Sequence, residues 1–487
     1  MNPIKVERLA GMPLYVDADG TLLKTDLLLE SALRLFKRSP ASLLSMLRWL
    51  IVGGPARLKH EIAQRVDLDA SKLPYRSEIV ALCREAQDAG RKVVLATGSN
   101  TKYAEAVADH LGLFDATLAT TATHNLTGRR KLEAILGECS ARRFVYAGNE
   151  AKDLKIWGHA GAAIVCGSHD LARQAAAVAV VERHVSAQPA GLRVLLRTIR
   201  IHQWAKNVLV FLPFVPLIGS LAPGQWLQGV VGFVCFGLCA SSVYLTNDLL
   251  DLDADRAHHT KSRRPVPSGE ISLATAIMLS AALLVAAFAL AAALLTPLFM
   301  AVLGGYWLLT TAYSFDLKRR INVDILALAL LYTLRVLAGS AVLMIKPSFW
   351  MLAFSMFLFF SLAAVKRLVE LEGLRERAAQ GEGAVGQPVG RGYIVEDIPV
   401  LRTQGIVSGQ LAVLVFALYI NDASAAAHFA RPEWLWGVFP CLLLWVNRVW
   451  MKANRGEVHE DPVLFALRDN FSRLVVVAAG ICVVLAA

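Results

Sequence analysis

Two stretches of this chain contain no charged side chain at all: Asn207 to Asn247 and Ile271 to Phe315, 41 and 45 residues long. About 20 apolar residues cross a bilayer as a helix, so each stretch is long enough for two crossings. Pro223-Gly224 interrupts the first and Thr296-Pro297 the second, so each reads as two spanning helices joined by a short turn. Further apolar segments at 322–345, 347–365, 403–421, 434–449 and 472–487 bring the expected total to about nine spans. The composition agrees: 55% of the residues are hydrophobic and 18% charged, against about 45–50% and about 25% in soluble domains. Disordered, collagenous and small secreted scaffolds are excluded.

The basic residues orient the bundle. The loops after the second, fourth, sixth and eighth spans hold eighteen of them, from Arg256, Lys261, Arg263 and Arg264 through Lys318, Lys366, Arg367, Arg377 and Arg391 to Arg473. The opposite loops hold Lys346 and Arg431. Those four loops and the N-terminal domain are therefore expected on the cytoplasmic side, in a multi-pass protein of a bacterial inner membrane. This topology accounts for most of the net charge of +11, so nucleic acid is not expected as a partner. The start, MNPIKVERLAGMP, has no apolar h-region, and no cleaved signal peptide is expected. The seven cysteines form no CxxC pair, which argues against a zinc site or a disulfide framework.

Ahead of the membrane part, the expected organisation is a soluble α/β domain over 1–185 with a helical cap inserted at about 22–85, and then a linker at 186–198. The all-α membrane bundle follows over 199–487. LYVDAD, KVVLATG, FVYAGN and AAIVCG are short apolar runs ending in small or polar residues, as buried parallel strands do. A doubly wound sheet carries its functional residues at the carboxyl ends of such strands. In the cap, the apolar run 42–54 is expected to pack cap against core, with contact to a membrane surface as the alternative.

Chemistry-bearing residues recur at those strand ends. Asp17 and Asp19 in DADGT suit a nucleophile and a proton donor over one metal. Thr97 in ATGSN and Lys131 suit a phosphoryl group, and Gly148-Asn149-Glu150-Ala151-Lys152-Asp153 offers oxygen ligands for Mg²⁺. In this order they resemble the haloacid-dehalogenase phosphatase superfamily, a Rossmann-like fold. The resemblance implies Asp17 as the nucleophile, Asp19 as general acid/base, Thr97 and Lys131 as phosphate ligands, and Asn149 and Asp153 beside Asp17 and Asp19 at Mg²⁺. The fourth motif usually begins Gly-Asp, and Gly148-Asn149 departs from it, which leaves a decayed structural domain as the alternative to an active phosphatase.

In the membrane part, Asn247-Asp248-Leu249-Leu250-Asp251-Leu252-Asp253-Ala254-Asp255 ends an apolar run. Acidic groups there are costly and point to function. Asp248, Asp251 and Asp255 share one face if the helix continues, and a cation between them, with Mg²⁺ bridging a diphosphate, would relieve their repulsion. Lys261, Arg263 and Arg264 follow and suit phosphate oxygens. Arg335 sits in mid-span and reads as facing a central cavity. The NDxxDxxxD pattern with its basic-Arg-Pro loop resembles the UbiA superfamily of intramembrane prenyltransferases. IRIHQWAKNVLVF (199–211), YSFDLK (313–318), KRLVEL (366–371) and EDPVLFALRD (460–469) resemble its decaprenyl-phosphate phosphoribosyltransferase branch. That branch uses phosphoribosyl diphosphate (PRPP) as donor and a polyprenyl phosphate as acceptor. The resemblance implies catalytic Asp248, Asp251 and Asp255 holding Mg²⁺, with Lys206, Asn247, Lys261, Arg263, Arg264, Tyr313, Lys318, Arg335 and Lys366 binding substrate. Membrane lipids and a second copy of the chain are the other expected partners. Two rivals stay open: a prenyltransferase that alkylates an aromatic acceptor, and a transporter with a soluble regulatory domain.

Overall fold

The computed structural model describes residues 11–186, 191–258, 260–380, 392–422, 429–458, 465–466 and 468–486. The first ten residues, Arg391 and most of the 460–469 motif lie outside them, as does the side chain of Arg377. Two compact units emerge, and their division runs through the region expected as the membrane bundle. One comprises Met1–Ile199 with Leu245–Met278, the other Arg200–Tyr244 with Leu279–Ala487. The acidic segment thus belongs to the same unit as the N-terminal α/β domain.

The first unit is built on a six-stranded parallel sheet: β1 (Leu14–Val16), β2 (Val93–Asn100), β3 (Ala116–Thr120), β4 (Val145–Gly148), β5 (Ala162–Gly167) and β6 (Val181–Ser186). The spatial order is β3-β2-β1-β4-β5-β6. Four of these strands are the expected apolar runs; β3 and β6, more polar and at the edges, carried no such signal. With β1 central, the order reverses beside it, and the crevice at the carboxyl ends of β1, β2 and β4 is where such sheets bind ligands. After β1 come α1 (Leu27–Arg38), α2 (Ser42–Ala63) and α3 (Ser77–Asp88). Asp26 caps α1 by accepting from the Leu29 amide at 2.9 Å. Ile79, Leu82, Cys83 and Ala86 of α3 pack into one core with Leu14, Val16, Val93 and Leu95, so α1 and α2 form the cap proper. α2 kinks at Gly54 (φ +66°), just before Pro55. Its apolar run does not pack against the sheet as expected: Leu44 and Ile51 are 73% and 81% exposed, because Met46 and Trp49 on the other edge already meet the cap's small core.

Later in the chain run α4 (Pro223–Leu250), α5 (Leu252–Ala257), α6 (Leu273–Leu294), α7 (Pro297–Phe315), α8 (Val323–Leu343), α9 (Phe349–Ala379), α10 (Ile398–Ile420), α11 (Val438–Asn454) and α12 (Asn470–Ala486). Six helices among the described residues are long and apolar enough to cross a membrane. The other three expected spans fall on helical stretches of 17 residues each: α11, α12 and Ile201–Leu217. The last coils as a 3₁₀-helix containing Pro213 and Pro216, which remove two of the donors an α-helix needs. In the second unit, Gly339 of α8 lets that stretch approach closely: a Cβ there would sit 2.0 Å from the Val210 carbonyl oxygen.

Candidate functional site

At the carboxyl end of β1 the chain turns sharply. Gly20 has φ +74°, and a Cβ on it would lie 2.1 Å from Asn149 Nδ2, so only glycine fits. That turn presents two aspartates in different settings. Asp17 pairs with Lys131, whose Nζ is 2.9 Å from Asp17 Oδ1 with both side chains nearly buried; Lys131 also donates to the Tyr146 hydroxyl at 3.1 Å. Asp19 accepts from the Leu27 amide at 2.8 Å and from the Ser99 hydroxyl at 2.6 Å. Burial, reinforced by the charges of Asp26 and Asp17, pushes the Asp19 carboxyl up to about 7. A carboxyl group that holds its proton near neutrality is suited to general acid work.

Beyond β4, Asp153 Oδ2 accepts from the Asn149 and Glu150 amides, both at 3.0 Å. Burial, followed by the Asp17 charge, pushes Asp153 up to about 6. The Asn149 side-chain oxygen accepts from the Thr21 hydroxyl at 3.2 Å. Thr97 is fully buried and its hydroxyl accepts from the Ser99 amide at 3.0 Å. The structure therefore gathers Asp17, Asp19, Thr97, Lys131, Asn149 and Asp153 at the carboxyl end of the sheet. Asp17, Asp153 and the Asn149 side-chain oxygen are the groups here with the chemistry to ligate a divalent cation, while among the described residues no three acidic, histidine or cysteine side chains are grouped to hold one.

Sequence reading missed two groups here. Ser99, two residues beyond Thr97, steers Asp19; its signal lay in the same ATGSN motif. Lys59 reaches in from α2 to donate to the Gly98 carbonyl (2.6 Å) and Asn125 Oδ1 (2.9 Å), and nothing local in its sequence marks it.

The acidic segment, in the same unit, is arranged differently from expectation. α4 stops at Leu250 and α5 resumes at Leu252, while the Asp251 amide still bonds to the Asn247 carbonyl and the Asp255 amide to that of Asp251. Asp248 and Asp255 come together on one cation, the Arg264 guanidinium, at 3.0 and 2.8 Å; Lys261 lies 3.9 Å from Asp255. Burial pushes the Asp255 carboxyl up and Arg264 pulls it back. Asp251 turns instead to Lys37 of α1 at 2.7 Å. The convergence of all three carboxylates is not seen: among the described residues no three acidic, histidine or cysteine side chains are grouped to hold a metal. Each carboxylate has gone to the cation within its reach. Two of them sharing one guanidinium remain a fit for a divalent ion that brings more charge than Arg264.

α1 contributes further to this segment. Arg34 pairs with Asp253, and Arg256 donates to Glu30 at 2.6 and 3.0 Å. Glu30 is wholly buried and also accepts from Thr25 at 2.7 Å. Arg263 is exposed, its backbone carbonyl taken by Arg197 at 3.0 Å.

In the second unit, Arg335 is buried and donates to Asn207 Oδ1 at 2.9 Å, to the Tyr306 hydroxyl at 3.0 Å and to the Leu331 carbonyl. The Tyr332 ring lies 5.4 Å from Arg335 and 5.9 Å from the buried Lys206 ammonium. Lys318 and Lys366 are partly exposed. Arg367 is not the loop charge its position suggested. It is buried in an ion pair with Asp324 and donates to the Tyr313 hydroxyl at 2.7 Å, while Tyr393 donates to Asp324 at 2.9 Å. Tyr313 is thereby held by Arg367.

A region of apolar helices carrying an aspartate-rich segment thus follows a domain with a phosphatase-like constellation. The chain belongs to the UbiA prenyltransferase family, whose model matches residues 208–470; residues 14–157 match that of the haloacid dehalogenase-like hydrolases. It is an integral membrane protein. Among its relatives, the Uncharacterized protein y4nM of Sinorhizobium fredii is 35% identical over 95% of this chain and 88% of its own. Nodulation protein NoeC of Azorhizobium caulinodans is 31% identical, covering 56% of this chain and 86% of its own length. Decaprenyl-phosphate phosphoribosyltransferase of Mycobacterium tuberculosis is 35% identical, covering 40% of this chain and 65% of its own.

Proposed function

We propose that this chain transfers 5-phosphoribose from PRPP to a polyprenyl phosphate of decaprenyl type, releasing diphosphate, and that its N-terminal domain then removes the 5-phosphate from the lipid product. The observation that carries this reading is the placement of two phosphate-handling constellations, Asp248/Asp255/Arg264 and Asp17/Asp19/Lys131/Asp153, in one compact unit. The likeness to phosphoribosyltransferases supports it. In a bacterial inner membrane, both constellations would face the cytoplasm.

Asp248 and Asp255, joined by Asp251 once it leaves Lys37, would hold Mg²⁺, as would Asp17, Asp153 and Asn149, and the ion would supply positive charge where phosphate oxygens gather negative charge. Arg264 and Lys261 bind the donor diphosphate. The lipid phosphate, already anionic, attacks C1 of the ribose; the C1–O bond to diphosphate breaks as the new C1–O bond forms. In the second reaction Asp17 attacks phosphorus and Lys131 holds the phosphoryl oxygens. Asp19 gives its proton to the leaving 5-oxygen, then takes one from the water that frees Asp17.

Labelled PRPP, membranes containing the full chain, and mass analysis of extracted lipid test both steps. Asp251→Asn should abolish lipid labelling without loss of fold. Asp17→Asn should leave labelling intact while the 5-phosphorylated lipid accumulates. Labelling from prenyl diphosphate rather than PRPP would replace this reading with an aromatic prenyltransferase.

A further inference from the structure

Among the described residues, nothing covers the outward face of α2. Leu43, Leu44, Leu47, Leu50 and Ile51 all point away from the core, and all five count among the chain's exposed large apolar side chains. At about 100° per residue they fall within an arc of about 120°. Val52, also exposed, carries the patch to the break at Gly54. The other edge of the same helix, Met46 and Trp49, is committed to the Leu35, Ile62 and Val66 cluster, so the helix cannot roll to hide its outer face. A contiguous apolar face of this kind on a folded domain marks an interaction surface.

Charge selects the partner. From Ser31 to His60 the chain has no aspartate or glutamate, yet it holds Arg34, Lys37, Arg38, Arg48, Arg57 and Lys59. Arg48 stands exposed at the edge of the apolar arc with no carboxylate within ion-pair distance among the described residues. A short helix that is apolar outward and basic at its rim suits the headgroup–acyl boundary of an anionic bilayer. A second copy would bring an equally basic rim against this one. The chain's own spanning helices also keep the unit tethered to a bilayer, which makes the contact intramolecular in its entropy cost. From these observations we propose that the 43–52 face of α2 is a membrane-surface anchor that inserts its leucines and isoleucine shallowly into a leaflet containing anionic lipid. The proposal does not depend on which reactions the two sites catalyse. It gives the phosphatase-like domain a fixed relation to the lipid surface.

The test uses the full chain in nanodiscs of zwitterionic lipid with or without phosphatidylglycerol. With the partly exposed Cys139, Cys441 and Cys482 replaced by serine, cysteines introduced one at a time at Leu44, Leu47 and Ile51 carry an environment-sensitive fluorophore, and Val180→Cys, on an exposed site of the same unit, serves as reference. With phosphatidylglycerol present, the three α2 labels should shift to the blue, resist iodide and be quenched by brominated lipid, while the reference stays open to iodide. Leu44→Glu combined with Ile51→Glu should return the Leu47 label to iodide access; circular dichroism and retained ligand-independent folding of the reference site guard against a collapsed variant. Iodide access at all three positions equal to the reference would overturn the proposal. Shielding from iodide without quenching by brominated lipid would also overturn it, since a protein surface would then cover the face.

Discussion

The pairing of Glu30 with Arg256 offers a quantitative test of how α1 holds the acidic segment. The Glu30 carboxylate is fully buried and Arg256 only 7% exposed at its side chain. Glu30→Ala removes the acceptor of two guanidinium bonds, at 2.6 and 3.0 Å, and of the Thr25 hydroxyl. Arg256 then keeps the Pro267 carbonyl at 3.0 Å and carries an uncompensated buried charge. Breaking one side of such a pair costs about 3–5 kcal/mol, or about two to four powers of ten in the opening equilibrium. Replacing both partners, Glu30→Met with Arg256→Met, removes the stranded charge and should recover most of that loss. Hydrogen exchange of peptides covering 27–38 and 252–257 in the full-length protein measures the opening. Glu30→Ala and Arg256→Met should each raise exchange in both peptides, and the double replacement should raise it less than either. A Glu30→Ala effect below about 1 kcal/mol, or additive single costs, would refute the reasoning.

Lys37→Met frees Asp251 from its ammonium partner, and the half-saturating Mg²⁺ concentration for transfer should fall by up to about fivefold, the scale of a partly exposed pair; an unchanged or raised requirement in a Mg²⁺ titration would show that Lys37 does not compete for that carboxylate. Gly20→Ala places a Cβ 2.1 Å from Asn149 Nδ2 at a positive φ. It should destabilise the first unit by about 1 kcal/mol or more and abolish phosphomonoester hydrolysis while PRPP-dependent lipid labelling persists. Arg367→Met strands the wholly buried Asp324 carboxylate and should lower the thermal stability of the detergent-solubilised protein, whereas Arg319→Met, on an exposed side chain, should leave it unchanged.

Much of this protein is legible along its sequence because the signals are local. An uncharged run of 41 residues has few fates in water, and a hydrophobic strand ending in Asp-Ala-Asp-Gly announces both its burial and its chemistry. Most of the haloacid-dehalogenase-like residues could be named in advance because Asp17, Asp19, Thr97, Asn149 and Asp153 lie at or just beyond the ends of β1, β2 and β4, which the sheet order brings together. What could not be read is every choice made between distant segments. Asp251 was expected to share a cation with Asp248 and Asp255, but which carboxylate meets which cation is set by where α1 places Lys37, more than two hundred residues earlier in the chain. Arg367 follows Lys366 in what looks like a positive-inside loop, yet an aspartate on another helix makes it a buried ion pair. The apolar run of α2 carries the same residues whether it faces a core or a membrane, and only the packing of Met46 and Trp49 decides which edge is left outside. Composition and periodicity fix what a segment must bury or ligate; its partner depends on long-range geometry that no local pattern encodes.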